Sequence, residues 1–233
     1  MSSMDLVTDA AGWLGRSETG GEPSLSETAY GRILEQILSG KIPPGTMLQE
    51  RRIADSLSMS RTPVREALGR LEAESLITRS HGRAPVVANV GVETFVCILD
   101  MRRVLEVEAA GRATGHIRQE IADHVIASIN ALLLTESPTP AQHWAVDDLV
   151  HHTIADAAGN PLLAQTIRDL RRRTQLFNTT RISSRLQPGG SEHVRLISAV
   201  MGNDPAASRA VMGSHLDNVR DAIIEYILGA KRS

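Results

Sequence analysis

The sequence predicts a mainly α protein with an N-terminal winged helix-turn-helix and a C-terminal antiparallel bundle of helices. Three observations carry this. Between residues 25 and 75, apolar positions recur at helical spacing in three stretches joined by short connections. Between residues 76 and 88, two brief β-prone runs flank a turn that contains glycine. Beyond Val92 the helical spacing continues to the C-terminus, cut at intervals by Pro, Gly and Asn.

The elements follow in order. Residues 1–24 are rich in Ser, Gly, Thr and Glu and are expected to form a flexible tail. Ser24 with Glu27 resembles a capping box. It opens a helix whose apolar stripe is Tyr30, Ile33, Leu34 and Ile37 and which ends near Gly40. Pro43-Pro44-Gly45 is a hard turn, and Leu48 leads toward a short helix from about Glu50 to Leu57 that buries Ile53, Ala54 and Leu57. Ser58-Met59-Ser60 connects tightly to the next helix, which runs to about Ser75. Thr62 is the expected cap there, with Pro63 at the first helical position, where a backbone donor would be unpaired anyway. Val64, Ala67, Leu68 and Leu71 form its core stripe, while Arg61 and Arg65 lie opposite, free to reach phosphates and base edges.

Two helices joined by a three- or four-residue turn outline a helix-turn-helix. Leu76-Ile77-Thr78 and Val86-Val87-Ala88, folded about Ser80-His81-Gly82-Arg83, add a hairpin that serves as a wing. Residues 25–90 form this first domain. Residues 91–230 form the second, with helices expected at 92–114, 118–136, 141–158, 161–185, 191–202 and 205–229. Their ends are marked by Gly115, Ser137-Pro138-Thr139-Pro140, Gly159-Asn160-Pro161, Gln187-Pro188-Gly189-Gly190 and Asn203-Asp204-Pro205. Two Phe, two Tyr and two Trp in the whole chain leave the packing to aliphatic side chains and alanine.

Composition narrows the function classes. A net charge of −2 over 233 residues argues against indiscriminate coating of nucleic acid, but allows a small basic module beside a neutral or acidic domain. The single Cys97 excludes an internal disulfide and fits a reducing cytoplasm. The N-terminus carries Asp5 and Asp9 without an apolar core, and no apolar run is long enough to span a membrane. The expectation is a cytoplasmic protein with no membrane partner.

The bundle contains a second pattern. Asp147-Asp148-Leu149-Val150-His151-His152 offers two Asp/His pairs four residues apart. Asp148, His152 and Asp156 form a continuous polar stripe, expected on the solvent side. Asp147, His151, Ile154 and Ala158 lie on the other stripe, beside Val150, and are expected to point inward. His193 shares an apolar face with Leu196, Ile197 and Val200, and His215 shares one with Val211, Val219 and Ala222. One carboxylate and three imidazoles aimed into one bundle are a ligand set for a divalent transition metal. Zn²⁺ is the first expectation, with Ni²⁺ or Mn²⁺ as alternatives. The run Arg171-Arg172-Arg173 is expected to be a solvated face, and His116, His124 and His143 surface residues.

The spacing Tyr30…Ile33…Ile37…Gly40…Pro44-Gly45…Leu48…Glu50…Ala54, followed by Ser60 to Leu68 and Leu71…Glu74…Leu76-Ile77, resembles the GntR-type bacterial transcription regulators. Arg102…Glu106, Asp147…His151, Asn160-Pro161, Glu192-His193 and the pattern ending in His215 resemble the FCD domain of the FadR-type subfamily. The pattern departs from the family at Ser75, where glycine is usual, at Met59, where valine is usual, and at Val150, which is often aromatic.

The resemblance implies a homodimer that places two recognition helices in the major grooves of a pseudo-palindromic double-stranded operator. Carried over, Arg51, Arg61, Thr62 and Arg65 match DNA-contacting positions, and His81 and Gly82 match the wing tip. The chemistry agrees, since arginine grips both guanine and phosphate. The resemblance also selects the Asp147/His151 pair and places Arg102 toward an effector cavity, where it would meet the carboxylate of a small organic acid. The other reading of Arg102 is an intrahelical pair with Glu106. Together these imply a non-enzymatic transcription regulator, in the first instance a repressor controlled by a metabolite at a metal site. The alternatives are a direct metal sensor and a metal-dependent hydrolase with a DNA-binding appendage.

Overall fold

The computed structural model describes residues 23–80, 83–176 and 186–230. Most of the expected tail, His81 and Gly82 at the wing tip, and residues 177–185 of the expected fourth bundle helix lie outside the described residues. The chain divides into two compact units. The first holds the described residues up to Phe95 together with 172–176, and the second holds 96–171 and 186–230.

In the first unit, α1 spans Leu25–Leu38, α2 Glu50–Leu57 and α3 Arg61–Ala73, with strands β1 (Ile77–Thr78) and β2 (Val86–Val87). The capping box forms at α1: the Ser24 side chain accepts from the Glu27 amide, and the Glu27 carboxylate accepts from the Ser24 amide. Ala29, Tyr30, Ile33 and Ile37 are its buried face. α3 differs from expectation at its start. Its N-cap is Ser60, so Thr62 and Pro63 lie inside the first turn. Proline is tolerated there because the amides of that turn have no intrahelical acceptor. The core stripe of α3 is Pro63, Val64, Ala67, Leu68 and Leu71, packed against α1. After its C-cap at Glu74, Ser75 takes the left-handed conformation with φ of +59°.

The wing pairs antiparallel, Ile77 opposite Val87 and Thr78 opposite Val86. The segment before α2 joins it, with Leu48 donating to the Pro85 carbonyl at 2.7 Å and Val87 donating to Thr46 at 3.0 Å. Leu48 therefore closes the hairpin instead of only leading into α2. The last turn of the fourth bundle helix, from Arg172, also belongs to this unit: Leu176 is in its core and Arg172 pairs with Glu74 at 3.3 Å.

The helices that supply the second unit are α4 (Val92–Ala113), α5 (Gln119–Leu133), α6 (Pro140–Ala157), α7 (Pro161–Gln175), α8 (Leu186–Val200) and α9 (Pro205–Ala230). Its core is aliphatic and alanine-rich, with Ala110, Ala113, Val125, Ile129, Leu149, Val150, Ile154, Leu196, Ile197 and Val200 at its centre. A capping box at Thr139 and Gln142 starts α6. One boundary moved. Gln187-Pro188-Gly189-Gly190 does not precede α8 but forms its first turns, where Pro188 is still tolerated. Gly190 is the point of close approach to α5, since a Cβ there would lie 2.5 Å from a Leu133 methyl.

Candidate metal centre and nucleic-acid interface

The second unit brings four sequence-distant groups to one point. Asp147 and His151 lie one turn apart on α6, His193 comes from α8 and His215 from α9. Each offers one ligand atom, and the four atoms lie within 4.8 Å of one another. The three imidazoles are buried and their ring centres are 4.7 to 5.4 Å apart.

Carboxylates outside this set fix the rings. His151 Nδ1 bonds Glu106 Oε2, and His215 Nδ1 bonds Glu192 Oε2 at 2.8 Å. With Nδ1–H donating, Nε2 of His151 is left as a lone pair aimed inward, the usual arrangement around a ligating histidine. The Nε2 atoms of His151 and His193 are both buried; among the described residues that of His151 has no hydrogen-bond partner, and that of His193 has Asp147 Oδ1 at 3.3 Å. An orphaned atom such as His151 Nε2 costs about 1–3 kcal/mol unless a partner arrives.

Protonation favours the ligand forms. Burial, ahead of the Arg171 charge, pushes His151 down to about 3, and burial also pushes His215 down. Burial alone would raise Glu106 and Asp147. The Arg102 charge overcomes it at Glu106 and the Arg171 charge at Asp147, holding both well below the carboxylate range. Neutral imidazoles with an ionised carboxylate are the donor set of a divalent transition metal, so these residues fit such an ion.

Arg171, Glu106 and Glu192 make contacts in this site that local sequence pattern does not announce. Arg171 is 1 % exposed, not a solvated charge; it bonds Asp147 and also Asp148, at 2.8 and 3.0 Å. Asp148 and His152 are half-buried rather than a free polar stripe, although Asp156 is exposed. Glu106 and Glu192 orient two of the imidazoles. Arg102 is buried, and its Nε donates to Glu106 at 2.6 Å, so the intrahelical pair forms inside the unit rather than on its surface.

In the first unit Arg51, Arg61, Thr62 and Arg65 are all exposed, Arg51 on α2 and the others in the first two turns of α3. Ser60 makes no side-chain cap bond, which leaves the amides at the start of α3 without a side-chain acceptor. Glu50, the first residue of α2, holds both α3 arginines: Arg65 Nη2 at 3.0 Å and Arg61 Nη2 at 3.3 Å. Arg70 lies over the Tyr30 ring at 3.8 Å and pairs with Glu74, and Arg79 pairs with Glu72, so both have structural partners.

Residues 25–87 match the family described as bacterial regulatory proteins, gntR family, and residues 97–218 match the FCD domain. The chain belongs to the GntR family, in its FCD-bearing, FadR-type subfamily. It is 25 % identical over 191 residues to the Nta operon transcriptional regulator of Aminobacter aminovorans, covering 80 % of this chain and 89 % of that protein. It is 26 % identical over 231 residues to the gluconate operon transcriptional repressor of Bacillus subtilis, covering 96 % and 92 %. The fold is that of the solved E. coli McbR/YncC, with a TM-score of 0.75, 22 % identity and coverage of 88 % of this chain and 100 % of that one. The protein is a GntR-family transcriptional regulator with an FCD domain. Among the described residues, no helix is long and apolar enough to cross a membrane.

Proposed function

We propose that this GntR-family regulator binds a double-stranded operator as a homodimer, acts as a repressor, and is controlled by a small organic acid bound at a divalent metal in its FCD domain. The observation that carries the reading is the convergence of Asp147, His151, His193 and His215 inside one unit of a chain whose other unit is a winged helix-turn-helix. Zn²⁺ suits three imidazoles and one carboxylate, and Ni²⁺ and Mn²⁺ also accept the set. Bound there, the ion would supply a Lewis-acid site for a carboxylate oxygen.

Arg61, Arg65, Thr62 and Arg51 would meet the operator, with His81 and Gly82 at the wing tip. Glu50 orders the two reading arginines before DNA arrives, which lowers the entropy lost on binding. Support for a homodimer comes from α4, where Met101 and Val104 are 51 % and 64 % exposed. A carboxylate effector agrees with a relative named for a gluconate operon. An effector changes operator occupancy only by its differential affinity for the free and DNA-bound forms.

The test is operator affinity, by fluorescence anisotropy on the DNA upstream of the chain's own gene, with metal-loaded protein titrated with sugar acids, hydroxy acids and dicarboxylates. At least one acid is expected to weaken binding tenfold or more, about 1.4 kcal/mol. An acid that binds the protein yet never alters DNA affinity would refute effector control. A second reading, direct metal sensing, is favoured by the four protein ligands, which complete a tetrahedral set alone. A change in operator affinity on chelation, with no organic acid present, separates it from the first. The hydrolase alternative gains no support from relatives named as transcriptional regulators.

A further inference from the structure

Among the described residues, two buried nitrogens of the candidate metal centre, His151 Nε2 and Arg171 Nη1, have no hydrogen-bond partner, and His193 Nε2 has only Asp147 Oδ1 at 3.3 Å. A cation accounts for the two imidazole nitrogens, which offer lone pairs. It does not account for Arg171 Nη1. A guanidinium N–H is always a donor and always charged, so it is repelled by a metal and needs an acceptor oxygen.

Among the described residues its ion-pair neighbour is Glu106 Oε2, at 3.9 Å and outside hydrogen-bond range. Both Glu106 oxygens are already engaged, Oε1 by Arg102 and Oε2 by His151. The rest of the Arg171 head is locked: Nε donates to Asp148 at 3.0 Å, and Nη2 donates to Asp148 at 2.8 Å and to Asp147. Asp147 is itself a member of the ligand set. The guanidinium is thus held rigidly beside the metal position with both N–H groups of Nη1 unspent.

We infer that Arg171, rather than Arg102, is the anion anchor of the effector site. Its Nη1 donates to one oxygen of a carboxylate whose other oxygen binds the metal. Arg102 is a positioning residue, holding Glu106 and through it the His151 ring. The inference rests on the metal reading of this site. It specifies the ligand's recognition group as a planar carboxylate, which accepts from a guanidinium and a metal at once.

The experiment uses the full-length chain, stripped with chelator and reloaded with Co²⁺, whose visible spectrum reports uptake and the addition of a ligand. Acetate and malonate are titrated as probes against the parent, Arg171→Lys, Arg171→Gln and Arg102→Lys. Arg171→Lys keeps the charge but loses the fixed planar fork. Both Arg171 variants are expected to take up Co²⁺ and to bind carboxylate about tenfold or more weakly. Arg102→Lys is expected to weaken Co²⁺ uptake while leaving carboxylate affinity of the saturated protein within about threefold of the parent.

Unchanged carboxylate affinity in the Arg171 variants, or an equal loss in Arg102→Lys, overturns the inference and leaves the metal reading standing. Loss of Co²⁺ uptake in both Arg171 variants also overturns it, because Arg171 would then act by holding Asp147 for the metal and not as the anion anchor. A parent chain that takes up no Co²⁺ refutes the metal reading itself, and this inference with it.

Discussion

At the scale of single residues, Ser75 carries a measurable cost. Its φ of +59° follows the recognition helix, where a side chain in the left-handed region costs about 1–2 kcal/mol. Ser75→Gly is expected to raise unfolding stability by about 0.5–1 kcal/mol, after the greater freedom of glycine in the unfolded chain is subtracted. A denaturant midpoint that falls would count against that reading. At the other end of the same helix, Arg61→Ala is expected to weaken operator binding by about 1–3 kcal/mol and flatten discrimination at the base it reads. Equal losses on operator and unrelated DNA would instead assign Arg61 to phosphate.

The legibility of residues followed the range of the forces on them. Asp147 and His151 point inward as their spacing predicts, because helical periodicity is local and their neighbours Val150 and Ile154 are apolar. The inward position of Arg171 is not predicted in this way, because three consecutive arginines carry no local sign of burial. Its burial depends on Asp147 and Asp148 from α6, more than twenty residues earlier.

Helices were legible where their stop signals acted alone. The capping box expected at Ser24/Glu27 formed, and a second one, at Thr139/Gln142, starts the helix that carries Asp147 and His151. Thr139→Ala is expected to lower stability by about 1 kcal/mol, read by thermal unfolding of the metal-free chain. No change would mean that packing alone holds the α6 start. At α8 the proline and glycines lie inside the helix, although their residue types predict a boundary. Gly190 is required by contact with Leu133, and a close approach between helices leaves no trace in local propensity. The cap of α3 moved from Thr62 to Ser60 for a related reason: proline is tolerated anywhere in a first turn, so Pro63 alone does not set the register.

For the whole molecule, stability and protonation are linked. His151 is held down to about 3 and His152 to about 4 in the fold, both chiefly by burial, against about 6.5 when unfolded. The unfolded chain then binds more protons across that interval, so stability rises with pH there. It is fully present above about 6.5 and falls away as the pH drops toward the folded values; Glu106 and Asp147, also held low, act in the same direction at lower pH. Thermal midpoints of metal-free protein are expected to fall steadily from pH 7 to pH 4, and a flat profile would contradict burial of neutral imidazoles. Metal present at about a thousand times its Kd is expected to add about 4 kcal/mol, removable by chelator and absent in His151→Ala.

By itself the sequence determined the helices of both units, the wing strands, the outward arginines of α3 and the inward pair on α6. Each of these is written in periodicity, capping or turn chemistry within a few residues. Only the tertiary structure decided which groups meet: His193 and His215 with Asp147 and His151, Glu50 with Arg61 and Arg65, and Arg171 against Asp147. The physical reason is that charge pairing and ligation act between side chains far apart in the chain. Packing, not local pattern, sets which of them share a point in space.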